Sequence, residues 1–328
     1  MSVETITFGQ ASNMAMDEAM AADERVIILG EDVADDQGGG VWKATLGLSA
    51  KYGTQRVRST PIAEQAIVGA AVGAALLGYR PVAEIMLMNF ITVGMDQLVN
   101  HAAKLRFMSG GQSSVPLTIR TASGPGRGFG GQHSDMLEAW FAHVPGLKVV
   151  TASSPADAKG LLLACIEDDD PCIFIENTAT YRAAGPAPNP GLRLPLGRAH
   201  VVRAGSDISL IGYGRPIGDA LAVAEDLAKE GIFCEVVDLR TIAPFDRETI
   251  LTSVAKTRRA VIVHEAVREF GVGAEIASLI HEELFGELKA PCQRVGASFS
   301  AVPFSPPLEQ AYMVGRAKIE QAARSILN

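Results

Sequence analysis

The chain is predicted to be an α/β protein of two units, each around a largely parallel sheet, and three features of its pattern carry that reading. Short β-branched runs alternate with longer amphipathic segments, the rhythm of repeated strand–helix–strand units. The strand candidates are apolar almost throughout, as in Val26-Ile27-Ile28-Leu29, which suits strands covered by helices on both faces. The segment from Ala183 to Gly191 concentrates proline and glycine without periodicity, the composition of a boundary or exposed connection.

Taken in order, the pattern predicts a helix at about 10–23 and a strand at Val26–Leu29. A Gly/Ala-rich helix follows at about 64–77, then a strand at Val82–Ile85 and a helix at about 93–108. Leu117–Arg120, Lys148–Val150 and Ile173–Ile175 read as further strands, with a helix at about 155–166. After the Pro/Gly-rich stretch a second rhythm begins, with strands at Ile208–Ile211, Glu235–Asp238 and Ala260–Val263. Its helices are expected at about Pro216–Lys229, Arg247–Ala255 and Ala274–Phe285, and Pro216 suits a first turn, where its missing N–H leaves no bond unmade. The expected organisation is a unit over 1–182, a linker over 183–204 and a unit over 205–328.

Composition narrows the function classes. A 328-residue chain with 48% hydrophobic and 20% charged residues can bury a large core. Its net charge of −8 and scattered Lys and Arg argue against binding a phosphate backbone, so nucleic acid is not an expected partner. The longest low-polarity run, Ala66–Tyr79, falls short of the roughly 20 residues needed to cross a bilayer. No basic region followed by an apolar stretch opens the chain at Met1–Phe8, so no secretory signal is expected. Cys165, Cys172, Cys234 and Cys292 stand singly among apolar residues, without CxxC or metal-ligand spacing, and read as reduced thiols of a cytoplasmic protein. Walker, HExxH and GxSxG elements are missing.

Chemistry is suggested at three places. Thr60-Pro61-Ile62-Ala63-Glu64 runs into a stretch rich in small residues, which sets one carboxylate at the mouth of an almost wholly apolar helix. Glu64 is expected to be buried, either as a helix-start acid at the positive dipole end or as a proton-sharing group for a heterocyclic nitrogen. The loop Gly124–Ser134, with glycines at 124, 126, 128, 130 and 131, reads as a mobile active-site loop carrying His133, which can exchange a proton near neutral pH. A lone histidine is more often structural or solvated, and His143, flanked by aromatics, is expected to pack. Met86 and Phe90 lie just beyond a buried strand, where ligands bind in open parallel sheets, although core packing is the default for both. The run Glu167–Asp170 reads as a solvated turn whose oxygens could also serve a hard cation.

These residues accumulate into a resemblance. Gly30-Glu31-Asp32-Val33, the Thr60–Glu64 motif, Arg80-Pro81-Val82-Ala83-Glu84, Met88-Asn89-Phe90, Met108-Ser109-Gly110-Gly111, Gly131-Gln132-His133-Ser134, Gly146–Val150 and Asp238–Ile242 occur in one order. Together they resemble the β subunit of thiamine-diphosphate-dependent 2-oxo-acid dehydrogenase E1 components of the pyruvate and branched-chain type. The wording of Glu84–Phe90 and Gly131–His143 is most similar to acetoin dehydrogenase β subunits.

The resemblance implies an N-terminal pyrimidine-binding domain and a C-terminal transketolase-type α/β domain. It implies that Glu64 bonds N1′ of the thiamine diphosphate aminopyrimidine, that Met86 and Phe90 line the ring's pocket, and that His133 faces the reaction centre. A structural potassium site is implied at Leu117, Cys165, Asp168 and Asp170, mostly through backbone oxygen. Related enzymes hold the diphosphate and magnesium with a Gly-Asp-Gly element that this chain lacks, so an α subunit in an α2β2 tetramer is expected to supply it. The implied activity cleaves a 2-oxo acid or acetoin and passes the acyl group to a lipoyl-bearing E2 core. The other class weighed is a non-catalytic assembly or regulatory paralogue, for which Glu64 and His133 would be dispensable.

Overall fold

The computed structural model describes residues 4–327; residues 1–3, part of the segment read for a secretory signal, and residue 328 lie outside it. The first unit contains β1 (Thr5–Thr7), α1 (Phe8–Ala22), β2 (Val26–Gly30), α2 (Leu48–Tyr52), β3 (Val57–Ser59), α3 (Glu64–Leu76) and β4 (Arg80–Ile85). It continues through α4 (Met88–Ile91), α5 (Ala103–Met108), β5 (Thr118–Ser123), α6 (Glu138–Ala142), β6 (Lys148–Thr151), α7 (Pro155–Glu167) and β7 (Cys172–Asn177). Thr7 caps α1 through a reciprocal capping box with Gln10, and Ser154 caps α7 with Pro155 in its first turn. Strands β3, β2, β4, β5, β7 and β6 form one parallel sheet in that order.

The connection over 183–204 carries two strands, β8 (Ala184–Pro186), antiparallel to β1, and β9 (His200–Arg203), an antiparallel edge of the second sheet. The second unit holds β10 (Ile208–Gly212), α8 (Pro216–Ala228), β11 (Cys234–Asp238), β12 (Thr241–Ala243), α9 (Arg247–Thr257), β13 (Ala260–Val267), α10 (Val272–Leu284) and β14 (Gln293–Ala297). Helices α11 (Pro306–Tyr312) and α12 (Arg316–Ser325) complete it. Its sheet runs β14, β13, β10, β11, β9, while β12 crosses over and pairs antiparallel with β6 of the first sheet.

Both faces of the first sheet are covered, so its central strands β4, β5 and β7 are buried almost throughout. Phe8, Met16 and Leu161 from α1 and α7 pack on one face. On the other, Ile67, Val68 and Val72 of α3 share a core with Ile211, Val237 and Leu239 of the second unit. The helix expected at 93–108 is broken into a 3-10 turn at Thr92–Gly94, a π-helical stretch at Gln97–Ala102 and α5. Gly94 marks the break because a Cβ there would stand 2.9 Å from Val68 Cγ2, so α3 approaches the backbone directly.

Candidate active site

Four chain segments leave the carboxyl ends of β2, β3, β4 and β5 on the same edge of the parallel sheet, and they carry Glu31, Glu64, Met86 with Phe90, and His133. This is the edge at which open α/β sheets bind ligands. Beyond β3, the Thr60 N–H bonds Gly30 O at 2.9 Å, the chain turns through Pro61, and α3 begins at Glu64. Ala63 offers no side-chain cap, so Glu64 stands alone at the positive end of the helix. Its carboxylate accepts no hydrogen bond among the described residues, and one turn earlier Thr60 Oγ1 is shielded from solvent and unbonded. Glu31 lies close by; burial raises its carboxyl's pKa, with the charges of Glu64, Asp32 and Glu84 adding to the effect.

The expectation that Glu64 is buried needs correction. It is half-exposed, because the outer face of α3 is uncovered: Ala66, Ala70 and Gly73 are exposed, and Ile62 keeps 81% of its surface. A Cβ added at Gly73 would meet nothing within 4 Å, so a further backbone can come close there.

Beyond β4, Met86 and Phe90 are half-buried at the same edge, and Trp42 Nε1 donates to Met86 O at 3.1 Å. The Phe90 ring meets His133 edge-on, with centroids 5.3 Å apart and planes at 85°. Asn89 fixes this pair in place. Its Nδ2 donates to Gly131 O at 3.2 Å and to Asp135 Oδ2 at 2.9 Å, and its Oδ1 accepts from the Asp135 N–H at 3.2 Å. Ser123 Oγ donates to Asp135 O at 2.6 Å, which ties the segment back to β5. Asn89 stood in the Met-Asn-Phe motif, but its partners lie 42 and 46 residues away and only the fold reveals them.

The glycine-rich loop is not free, contrary to expectation. Gly126 and Gly128 donate backbone N–H groups to the buried Glu309 carboxylate of α11, Phe304 lies over Gly130, and Met313 lies against Gly126. His143 is exposed rather than packed, and borders a cleft of about 610 Å³ between the units with Pro244, Phe245 and Phe270.

Leu117, Cys165, Asp168 and Asp170 do converge, but at the amino ends of β5 and β7, the opposite edge of the sheet. Lys148 Nζ lies 2.7 Å from Asp168 Oδ1, Arg106 lies 2.6 Å from Asp170 Oδ1, and Arg80 and Arg193 pair with Asp169 and Glu167. With both carboxylates neutralised, a monovalent cation fits this turn only through main-chain oxygen. The carbonyls of Leu117, Cys165 and Asp168 each accept one protein hydrogen bond and retain a second lone pair. Among the described residues no group of three or more His, Cys, Asp or Glu side chains could hold a metal ion.

Comparison with known proteins decides the family. The transketolase pyrimidine-binding domain family matches residues 4–183, and the transketolase C-terminal domain family matches residues 197–319. The acetoin:2,6-dichlorophenolindophenol oxidoreductase subunit beta of Cupriavidus necator is 44% identical over 325 residues, 97% of this chain and 96% of that protein. The chain belongs to the E1 β subunit family. The 2-oxoisovalerate dehydrogenase subunit beta of Bacillus subtilis is 42% identical over 326 residues, 99% of each chain. The mitochondrial pyruvate dehydrogenase E1 component subunit beta-2 of Oryza sativa subsp. japonica is 44% identical over 309 residues, 93% of this chain and 82% of that protein. E1 β subunits are oxidoreductase subunits of a thiamine-diphosphate-dependent family, as the resemblance implied. A solved split gene transketolase, an inactive beta4 tetramer, superposes with a TM-score of 0.81 over 98% of each chain; at 22% identity it shows the shared fold.

Proposed function

We propose that this E1 β subunit, joined to an α subunit, cleaves a 2-oxo acid or acetoin beside the carbonyl and passes the acyl group to a lipoyl-bearing E2 core. The observation that carries this reading is the unbonded Glu64 carboxylate at the ligand-binding edge of the sheet, beside the orphaned Thr60 Oγ1. These residues fit thiamine diphosphate, which when bound supplies the carbon nucleophile that attacks the substrate carbonyl.

With the cofactor bound, Glu64 would share a proton with N1′ of the aminopyrimidine, a role for which an acceptor without protein partners is available. Met86 and Phe90 would wall the aminopyrimidine ring beside that carboxylate. His133, steadied by Phe90 and by its loop's bonds to Asn89, donates a proton to the substrate carbonyl oxygen or to the lipoyl group. The diphosphate and magnesium fall to the α subunit, since no Gly-Asp-Gly occurs here. The uncovered small-residue face of α3 supports assembly as an α2β2 tetramer with the cofactor at each αβ interface. Potassium at the Leu117, Cys165, Asp168 and Asp170 turn is a structural proposal, and activity indifferent to replacing potassium by sodium would contradict it. A cytoplasmic location is proposed from the four unpaired cysteines.

Acetoin, pyruvate and 2-oxoisovalerate enzymes all stand 42–44% identical to this chain, so the substrate is settled by assay. The αβ assembly is reconstituted, and kcat/KM for dye reduction is compared with acetoin, pyruvate and branched-chain 2-oxo acids. The expected result is thiamine-diphosphate-dependent turnover dominated by one of them. No cofactor-dependent turnover with any would refute the reading.

A further inference from the structure

Glu309 sits on α11 in the second unit, is 6% exposed, and accepts hydrogen bonds from the first unit. Its Oε1 takes the Gly126 N–H at 2.7 Å and the Gly128 N–H at 3.1 Å, and its Oε2 takes the Gly128 N–H at 3.0 Å. These glycines have φ of +113° and +69°, conformations that L side chains rarely adopt, which lets both amides point at one acceptor. An amide pair bonded by a charged carboxylate is held more strongly than one bonded by a neutral acceptor. Phe304 closes over Gly130, where a Cβ would stand 2.3 Å from its ring, and the Gly130 carbonyl accepts the His133 N–H at 3.3 Å. The carboxylate, the two amides, the aromatic lid and His133 thus form one connected path across the two units.

We propose that Glu309 is a positioning residue for acyl transfer: its carboxylate holds the Gly124–Gly131 loop in the shape that sets His133 against Phe90. The inference rests on the role assigned to His133 under Proposed function. Asn89 holds the far end of the segment through Gly131 and Asp135, so Glu309 governs the part nearer β5. It touches neither cofactor nor substrate, and acts only through the loop.

The test uses the reconstituted αβ assembly with thiamine diphosphate, comparing wild type, Glu309→Gln, Glu309→Ala and His133→Ala. Hydrogen exchange is followed in the peptide spanning 124–134, and kcat, substrate KM and cofactor affinity are measured with a lipoyl domain as acceptor. In Glu309→Ala, exchange in the peptide is expected to rise about tenfold and kcat to fall roughly tenfold, with KM and cofactor affinity within about twofold. Glu309→Gln keeps an oxygen for both amides and should lie between the two; if the alanine variant does not assemble, the same direction of change in the glutamine variant decides. Unchanged exchange would overturn the clamp, and faster exchange with unchanged kcat would overturn its part in catalysis. If His133→Ala also leaves kcat unchanged, the reading of His133 fails; if only His133→Ala is impaired, the proposal for Glu309 fails.

Discussion

The Glu64 carboxylate at the carboxyl edge of the first sheet and the carboxylates in the seam between the two units differ in their partners. In the seam, Glu138 Oε1 accepts from Tyr213 OH at 2.8 Å, while Glu265 takes Asn177 Nδ2 at 2.7 Å and Arg215 Nε at 2.6 Å. At the edge, Glu64 has no hydrogen-bond partner among the described residues and Thr60 Oγ1 is orphaned. A sealed polar group costs stability unless it is bonded, and both seam carboxylates have at least one partner within the chain, although Glu138 Oε2 is itself unbonded. Glu64 at the edge has none, which is what the cofactor site proposed there requires.

Three substitutions bear on this contrast, and the largest effect is expected inside the first sheet. Arg120 on β5 is fully buried between Glu84 and Glu176, and Glu176 also accepts from Tyr181 and, at 2.6 Å, from Ser12. Burial works against the Arg120 charge, and Glu176 and Glu84 outweigh it, so the guanidinium stays protonated. Arg120→Met strands two buried carboxylates and should cost about 3–5 kcal/mol in denaturant unfolding. Combining it with Glu84→Gln and Glu176→Gln should recover much of that loss. A single variant as stable as wild type would show that the cluster contributes nothing.

An intermediate effect is expected at Glu138, where burial pushes the carboxyl up to about 7. In the unfolded chain the same group titrates near 4.5, so the folded state holds the extra proton between these values. Its contribution is present below the unfolded pKa and lost as pH rises through the folded one. Glu138→Gln keeps an acceptor for Tyr213, so it should flatten the fall in stability between about pH 4.5 and pH 8, gaining up to about 3 kcal/mol at the upper end. Parallel stability curves for the two proteins would contradict this.

The smallest effect on the chain itself is expected at Gly73, in the open face of α3. Gly73→Leu should leave the β chain's stability within about 1 kcal/mol of wild type, since it fills empty space and improves helix propensity. It should nevertheless weaken assembly with the α subunit, measured by sedimentation. Unaltered assembly would place the partner on another face.

Much of this contrast was readable from the residues. Val26–Gly30 and Glu64–Leu76 announce themselves because strand and helix are each buried along a continuous face, and the Thr60-Pro61 turn fixes where α3 starts. β12 was hidden because it is a three-residue strand that leaves its own unit to join β6. The same distance effect concealed Glu309, which lies 183 residues from Gly126. Glycine spacing told of conformational freedom in that loop but held no information about what restrains it. The exposure of Glu64 was missed for a different reason: a sequence of small residues signals close packing, yet not whether the packing partner belongs to the same chain.

Glu64 is proposed as the activating half of a cofactor site completed by the α subunit. That role is tested most directly by NMR, following exchange of the thiazolium C2 proton of thiamine diphosphate bound to the αβ assembly, in wild type and in Glu64→Gln. The exchange rate is expected to fall roughly 10²–10⁴-fold in the variant with cofactor still bound. Exchange at the wild-type rate in a fully loaded Glu64→Gln assembly would contradict it.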